Sequence, residues 1–151
     1  MPQSLAEAYF HVVFSTKDRV PFLKDRTLRK EMHAYLAGAC RNLGCPSLIT
    51  GGVEDHVHIL CRFGKTVTIA DLIKGLKTES SKWIKGKDRS LNDFYWQGGY
   101  GLFSTVPDRL PELQRYIATQ EEHHRVESFK DEFRRLLKEH NVEYDERYVW
   151  D

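Results

Sequence analysis

Two short segments of this chain carry residues whose types and spacing could do chemistry. In Asp55-His56-Val57-His58-Ile59-Leu60, two histidines flank a single apolar residue. Strand side chains alternate between faces, so His56 and His58 emerge side by side while Val57 and Ile59 turn to the opposite face. In Tyr116-Ile117-Ala118-Thr119-Gln120, a phenol and a carboxamide stand four residues apart, a spacing that stacks both on one surface of a helix. Two imidazoles are most of a small metal site. The Gln120 oxygen could complete it, and the Tyr116 hydroxyl would then lie beside the ion. Each half is a weak signal alone, because His-x-His arises by chance on half-exposed strands and a tyrosine beside an apolar stripe usually just packs. Their meaning depends on a frame that brings them together.

The pattern along the chain supplies such a frame. Ala8 to Ser15 is rich in β-branched and aromatic residues and reads as a strand. Leu28, Met32, Tyr35, Leu36 and Ala39 recur at helical spacing from about Asp25 to Leu43, and Gly44 with Pro46 supplies the stop. Ser47-Leu48-Ile49-Thr50, a Gly51-Gly52 break and the segment from His56 to Phe63 read as an antiparallel strand pair. Thr68 caps a second amphipathic helix ending at Gly86, with Lys74, Lys77, Lys82 and Lys85 in a stripe opposite its apolar side. Phe94 to Val106, interrupted by glycines, reads as a last strand region. A third helix carries Leu113, Tyr116, Ile117 and Gln120, and a short fourth runs from Phe129 to about His140 before a polar and aromatic tail. The order β-α-β-β-α-β is that of an α+β, ferredoxin-like fold: an antiparallel sheet with helices on one face, plus C-terminal helices, the other sheet face being left free for a site.

Length and composition fit one domain over residues 1–151 with a short C-terminal helical extension. No apolar run is long enough to span a bilayer, and the N-terminus lacks the features of a signal peptide, so a cytoplasmic protein is expected. Cys40, Cys45 and Cys61 have no CxxC spacing, which argues against a disulfide framework or a zinc knuckle. The net charge of +1 conceals a division: residues 1–100 carry 15 Lys/Arg against 10 Asp/Glu, a net of +5, and residues 101–151 carry 8 against 12, a net of −4. The basic stretch from Arg62 to Arg89 is of the sign a phosphate backbone requires, although a solvated helix face explains it equally well.

Asp55 to Leu60, Leu76-Lys77-Thr78-Glu79-Ser80-Ser81-Lys82-Trp83, Trp96-Gln97-Gly98-Gly99-Tyr100-Gly101 and Tyr116 to His124 together resemble the HUH-type single-tyrosine transposases of small bacterial insertion sequences, including the branch associated with repetitive extragenic palindromes. The resemblance covers nearly the whole chain and keeps the motif order. It implies cleavage and rejoining of single-stranded DNA near hairpins through a 5′-phosphotyrosine intermediate. Tyr116 would be the nucleophile, and His56, His58 and Gln120 the metal ligands. A mixed nitrogen and oxygen set without thiolate suits Mg²⁺ or Mn²⁺, and no organic cofactor is implied. The resemblance further implies a homodimer whose active sites can assemble in trans, with nucleoid association when on DNA. Arg62, Lys74, Lys77, Lys82 and Lys85 are the candidate DNA contacts. His123 and His124 read as ordinary helix residues, and Asp55 and Glu54 as partners that orient an imidazole or turn the chain.

Two other readings compete. One is a ferredoxin-like nucleic-acid-binding module with structural histidines, against which the sheet lacks the aromatic signature of an RNA-recognition motif. The other is a hydrolase of small phosphoesters in which water, not Tyr116, attacks. It is the weaker, since no further histidine or aspartate motif supports it.

Overall fold

The computed structural model describes residues 2–151. Strand β1 (Tyr9–Ser15) leads to helix α1 (Arg26–Asn42), then to β2 (Ser47–Gly52), β3 (His56–Arg62), α2 (Ile69–Lys87) and β4 (Gly101–Thr105). Three helices follow: α3 (Leu110–Ala118), the single turn α4 (Gln120–His123) and α5 (Phe129–Glu139). The helix starts obey capping chemistry. Asp25 accepts from the Leu28 amide at 2.9 Å, Thr68 from Asp71 at 3.1 Å and Ser128 from Asp131 at 3.2 Å, each satisfying a donor that the first helical turn leaves free.

All pairings in the sheet are antiparallel, in the order β2-β3-β1-β4. This is the ferredoxin-like arrangement, and its register sets His58 opposite Val13 and His56 opposite Ser15. Alternation then sorts the side chains. Val12, Phe14, Val57, Ile59 and Cys61 join Met32 and Leu36 of α1 and Leu72, Leu76 and Ile84 of α2 in the main core. Full burial of each such aliphatic side chain contributes on the order of 1.5–3 kcal/mol before entropy is charged against it. The three cysteines are buried thiols.

Three expectations need correction. The second sheet face is not free: Val13 and Phe103 pack there against Phe129, Phe133, Leu136 and Leu137 of α5. Tyr116 and Gln120 do not share one helix. The chain leaves helical geometry at Thr119 (φ −109°, ψ 28°), whose hydroxyl bonds back to the Arg115 carbonyl at 2.8 Å. The last strand begins only at Gly101, since Phe94 to Gln97 contributes no more than an isolated bridge between Trp96 and Thr16. Trp96 is a core anchor, its indole donating to Ser80 Oγ at 2.9 Å.

Helix α3 lies close over the end of β2. A Cβ on Gly51 would come within 2.6 Å of the Ile117 carbonyl oxygen, so only glycine permits this approach. Gly52 beside it has φ 149° and is hemmed in by the His56 carbonyl. The Gly51-Gly52 pair thus sets the height of the tyrosine helix above the histidine strand.

Candidate active site

His56 and His58 emerge on the α5 side of β3, both fully buried. His56 Nδ1 lies 2.7 Å from Asp55 Oδ1, which leaves Nε2 facing inward, 3.2 Å from Gln120 Oε1 and 3.2 Å from Glu132 Oε1. His58 Nε2 lies 3.0 Å from the same Glu132 oxygen, while its Nδ1 is 2.8 Å from His11 Nε2 on the neighbouring strand. His124 Nε2 meets both Gln120 Oε1 and Glu132 Oε1 at 3.0 Å. The Tyr116 hydroxyl donates to Glu132 Oε2 and accepts from Arg135 Nη2 at 2.9 Å. Arg135 is in turn held by Glu127 at 3.0 Å and Glu139 at 3.3 Å.

The structure therefore brings Tyr116, Gln120, His56 and His58 together, around a carboxylate that sequence reasoning missed. Glu132 was legible in one respect: Phe129, Phe133, Leu136 and Leu137 trace the apolar stripe of α5, and Glu132 falls inside that stripe. A charged residue on a buried helix face needs a partner. His124 follows Gln120 by one helical turn, and His11 shares the face of Val13, so both were placeable once the sheet register was known. Asp55 orients an imidazole as one of its two readings held.

Burial is the largest influence on His56, His58, His11, Glu132 and Tyr116, and it pushes these three imidazoles toward neutrality. For His56 it is outweighed by the Asp55 and Glu132 carboxylates, which carry the ring up to about 9. For His58 burial prevails and its pKa falls, as does that of His11. Burial would raise Glu132, but His58, His124 and His56 around it hold its carboxyl well below the usual range. Tyr116 is pushed up by burial and by Glu132, against the pull of Arg135. These influences favour the anion of Glu132 and the neutral phenol of Tyr116.

His56, His58, His124 and Glu132 present ligand atoms that all lie within 4.8 Å of one another, and Gln120 adds an amide oxygen. Nitrogen and oxygen donors in this number fit a divalent cation, and the carboxylate behind His56 is the usual partner of a metal-bound imidazole. The Tyr116 ring also opens onto a cleft of about 740 Å³ that is shared with Arg109, Arg135, Phe103 and His140.

The basic candidates lie elsewhere. Helix α2 packs on the sheet face opposite the histidines. Lys77 is engaged internally: its amine donates to the carbonyls of Gln97 at 2.8 Å and Gly99 at 2.6 Å, and burial pushes it down to about 8. Lys74 and Lys82 are exposed, Lys85 rests 4.1 Å from the Tyr95 ring, and Arg62 is 3.8 Å from Glu7.

Residues 4–120 match the family described as "Transposase IS200 like". The chain belongs to this family. The match contains His56, His58 and Tyr116 and ends at Gln120. This IS200-like transposase also resembles a candidate transposase from Deinococcus radiodurans in its crystal structure, with TM-score 0.61 and 20% identity over 80% of this chain and 95% of that one. A second similar structure is that of a REP-associated tyrosine transposase bound to a REP hairpin, with TM-score 0.59 and 10% identity over 82% of this chain and 73% of that one. At these identities the likeness shows a shared fold. No curated protein matched by sequence. DNA transposition is the activity of the family, and among the described residues no helix is long and apolar enough to cross a membrane.

Proposed function

We propose that this IS200-like transposase cuts and rejoins single-stranded DNA beside hairpins, with Tyr116 as nucleophile and His56, His58 and Gln120 holding Mg²⁺ or Mn²⁺. The observation that carries the reading is the convergence of the Tyr116 hydroxyl, the Gln120 oxygen and both histidines on one buried cluster. In the reaction the Tyr116 hydroxyl gives up its proton as its oxygen bonds to phosphorus, the bond to the 3′ oxygen breaks, and that oxygen takes up a proton to leave as a 3′-hydroxyl, so the proton count is unchanged. The phosphotyrosine keeps the bond energy, so a 3′-hydroxyl can later reverse the step and reseal a strand without ATP. A bound divalent cation supplies positive charge that relieves repulsion at the phosphate and lowers the cost of ionising the phenol.

The chain's own residues prepare this step. Arg135 holds the phenol oxygen and carries a positive charge to where negative charge gathers. Asp55 and His11 fix the two strand imidazoles in orientation. Exposed Lys74, Lys82 and Arg62, with the half-buried Lys85, serve the hairpin backbone in this reading. It includes a homodimer acting in the cytoplasm on nucleoid DNA. Tyr116 and His58 of the same chain are already 5.8 Å apart, ring to ring, which favours assembly in cis. A REP hairpin is what the REP-associated structural neighbour holds, and the parallel supports a hairpin ligand here.

The test is incubation with single-stranded DNA from both flanks of the gene, with Mn²⁺, followed by a denaturing gel and peptide mapping. A covalent adduct at Tyr116 that disappears in Tyr116→Phe and with chelator is expected. Hairpin binding without any adduct would instead support the non-catalytic binding module.

A further inference from the structure

Five contacts link three imidazoles to two oxygens in this cluster, and protons cannot satisfy them all. His56 Nε2 and His124 Nε2 each face both Gln120 Oε1 and Glu132 Oε1, although one ring nitrogen has at most one hydrogen to donate. These four atoms close a ring with successive edges of 3.2, 3.0, 3.0 and 3.2 Å. Neighbouring ligands of an octahedral ion with bonds of ~2.1 Å stand ~3 Å apart. His58 Nε2 adds a further donor at 3.0 Å from Glu132 Oε1.

The outer contacts fit the same end. With Asp55 taking the Nδ1 hydrogen of His56, and His11 Nε2 free to take that of His58, both inward nitrogens can present lone pairs. His124 and Glu132 both lie beyond Gln120, where the family match stops. They belong to the C-terminal part of this chain rather than to the portion it shares with the family.

We propose that Glu132, together with His124, ligates the ion held by His56, His58 and Gln120, so that helix α5 is part of the metal site. The inference rests on the functional reading above and deepens it. Glu132 then does two things at once: one oxygen binds the ion and the other holds the Tyr116 hydroxyl. A single carboxylate fixes the distance between cation and nucleophile.

The experiment is calorimetric titration of the full chain with Mn²⁺, comparing wild type with His56→Ala, Glu132→Gln and His124→Ala, and checking each fold by circular dichroism in chelator. Glu132→Gln keeps the shape and removes the charge. The expected result is Mn²⁺ binding by wild type, its loss in His56→Ala, and at least about tenfold weaker binding in Glu132→Gln and in His124→Ala. Binding by Glu132→Gln that equals or exceeds wild type, with His56→Ala still defective, overturns the inference and leaves the histidine-pair site intact. No binding by wild type, or none lost in His56→Ala, overturns both. Should Glu132→Gln not fold, the anomalous signal of Mn²⁺ in wild-type crystals decides. A peak about 2.2 Å from a Glu132 oxygen is expected, and a peak bound by the His56 and His58 imidazoles but beyond hydrogen-bond distance of Glu132 refutes it.

Discussion

The Tyr116 hydroxyl is held from two sides, donating to Glu132 and accepting from Arg135. Tyr116→Phe leaves Arg135 paired with Glu127 and Glu139 but strands the buried Oε2 of Glu132, so the expected cost is about 1–3 kcal/mol in urea unfolding, with adduct formation abolished. A second residue gives the protein an acid limb. His33 is largely buried, its Nε2 has no partner, and burial aided by Arg29 pushes it down to about 4. Its folded pKa lies below the unfolded value near 6.5, so the unfolded chain binds more protons between those values. The contribution of neutral His33 to stability is full above about pH 6.5 and is lost as the pH drops toward 4. His33→Leu should flatten that part of a plot of melting temperature against pH; an unchanged slope would count against this assignment. At this scale the candidate nucleophile and strand histidines were legible because their spacing carries geometry. His11, His124 and Glu132 were not, since each acquires its role from a neighbour on another element.

Elements decide how well those residues meet. The close approach of β2 and α3 at Gly51 leaves no room for a methyl group. Gly51→Ala should therefore lift α3, costing about 1–3 kcal/mol and lowering adduct yield with metal affinity less affected. Adduct yield equal to wild type would show that the helix height is not critical. Helix α2 mixes two kinds of lysine. Lys77→Met strands the Gln97 and Gly99 carbonyls and should cost about 1–3 kcal/mol, whereas Lys82→Gln should leave stability within about 0.5 kcal/mol. If Lys82 touches a phosphate, its replacement reduces the salt slope of hairpin binding by about one unit. The β-α-β-β-α-β order followed from helical periodicity together with strand composition and the glycine and proline breaks. Periodicity does not report on Thr119, where a side-chain bond to the Arg115 carbonyl ends the helix early, nor on α5, whose apolar stripe says that it must pack but not upon what.

The whole molecule places its charge and its chemistry in different layers. Residues 1–100 carry the positive excess and residues 101–151, which include the helices over the histidines, the negative one. The α2 lysines and the candidate nucleophile thus lie on opposite sides of one sheet, whereas Arg62 shares the face of the histidines, and a strand that touches both sides passes round the sheet edge. The His56, His58, Gln120 and Glu132 side chains have essentially no contact with solvent. Ion exchange at this buried cluster, and the approach of a phosphate to it, therefore both depend on how often the fold opens locally. Stripping Mn²⁺ with a rising concentration of chelator should reach a plateau rate set by the protein, whereas an ion in an open site would leave faster with every increment. The cover's own motion would then act as a shared clock, setting both how fast the ion exchanges and how often a phosphate can reach it.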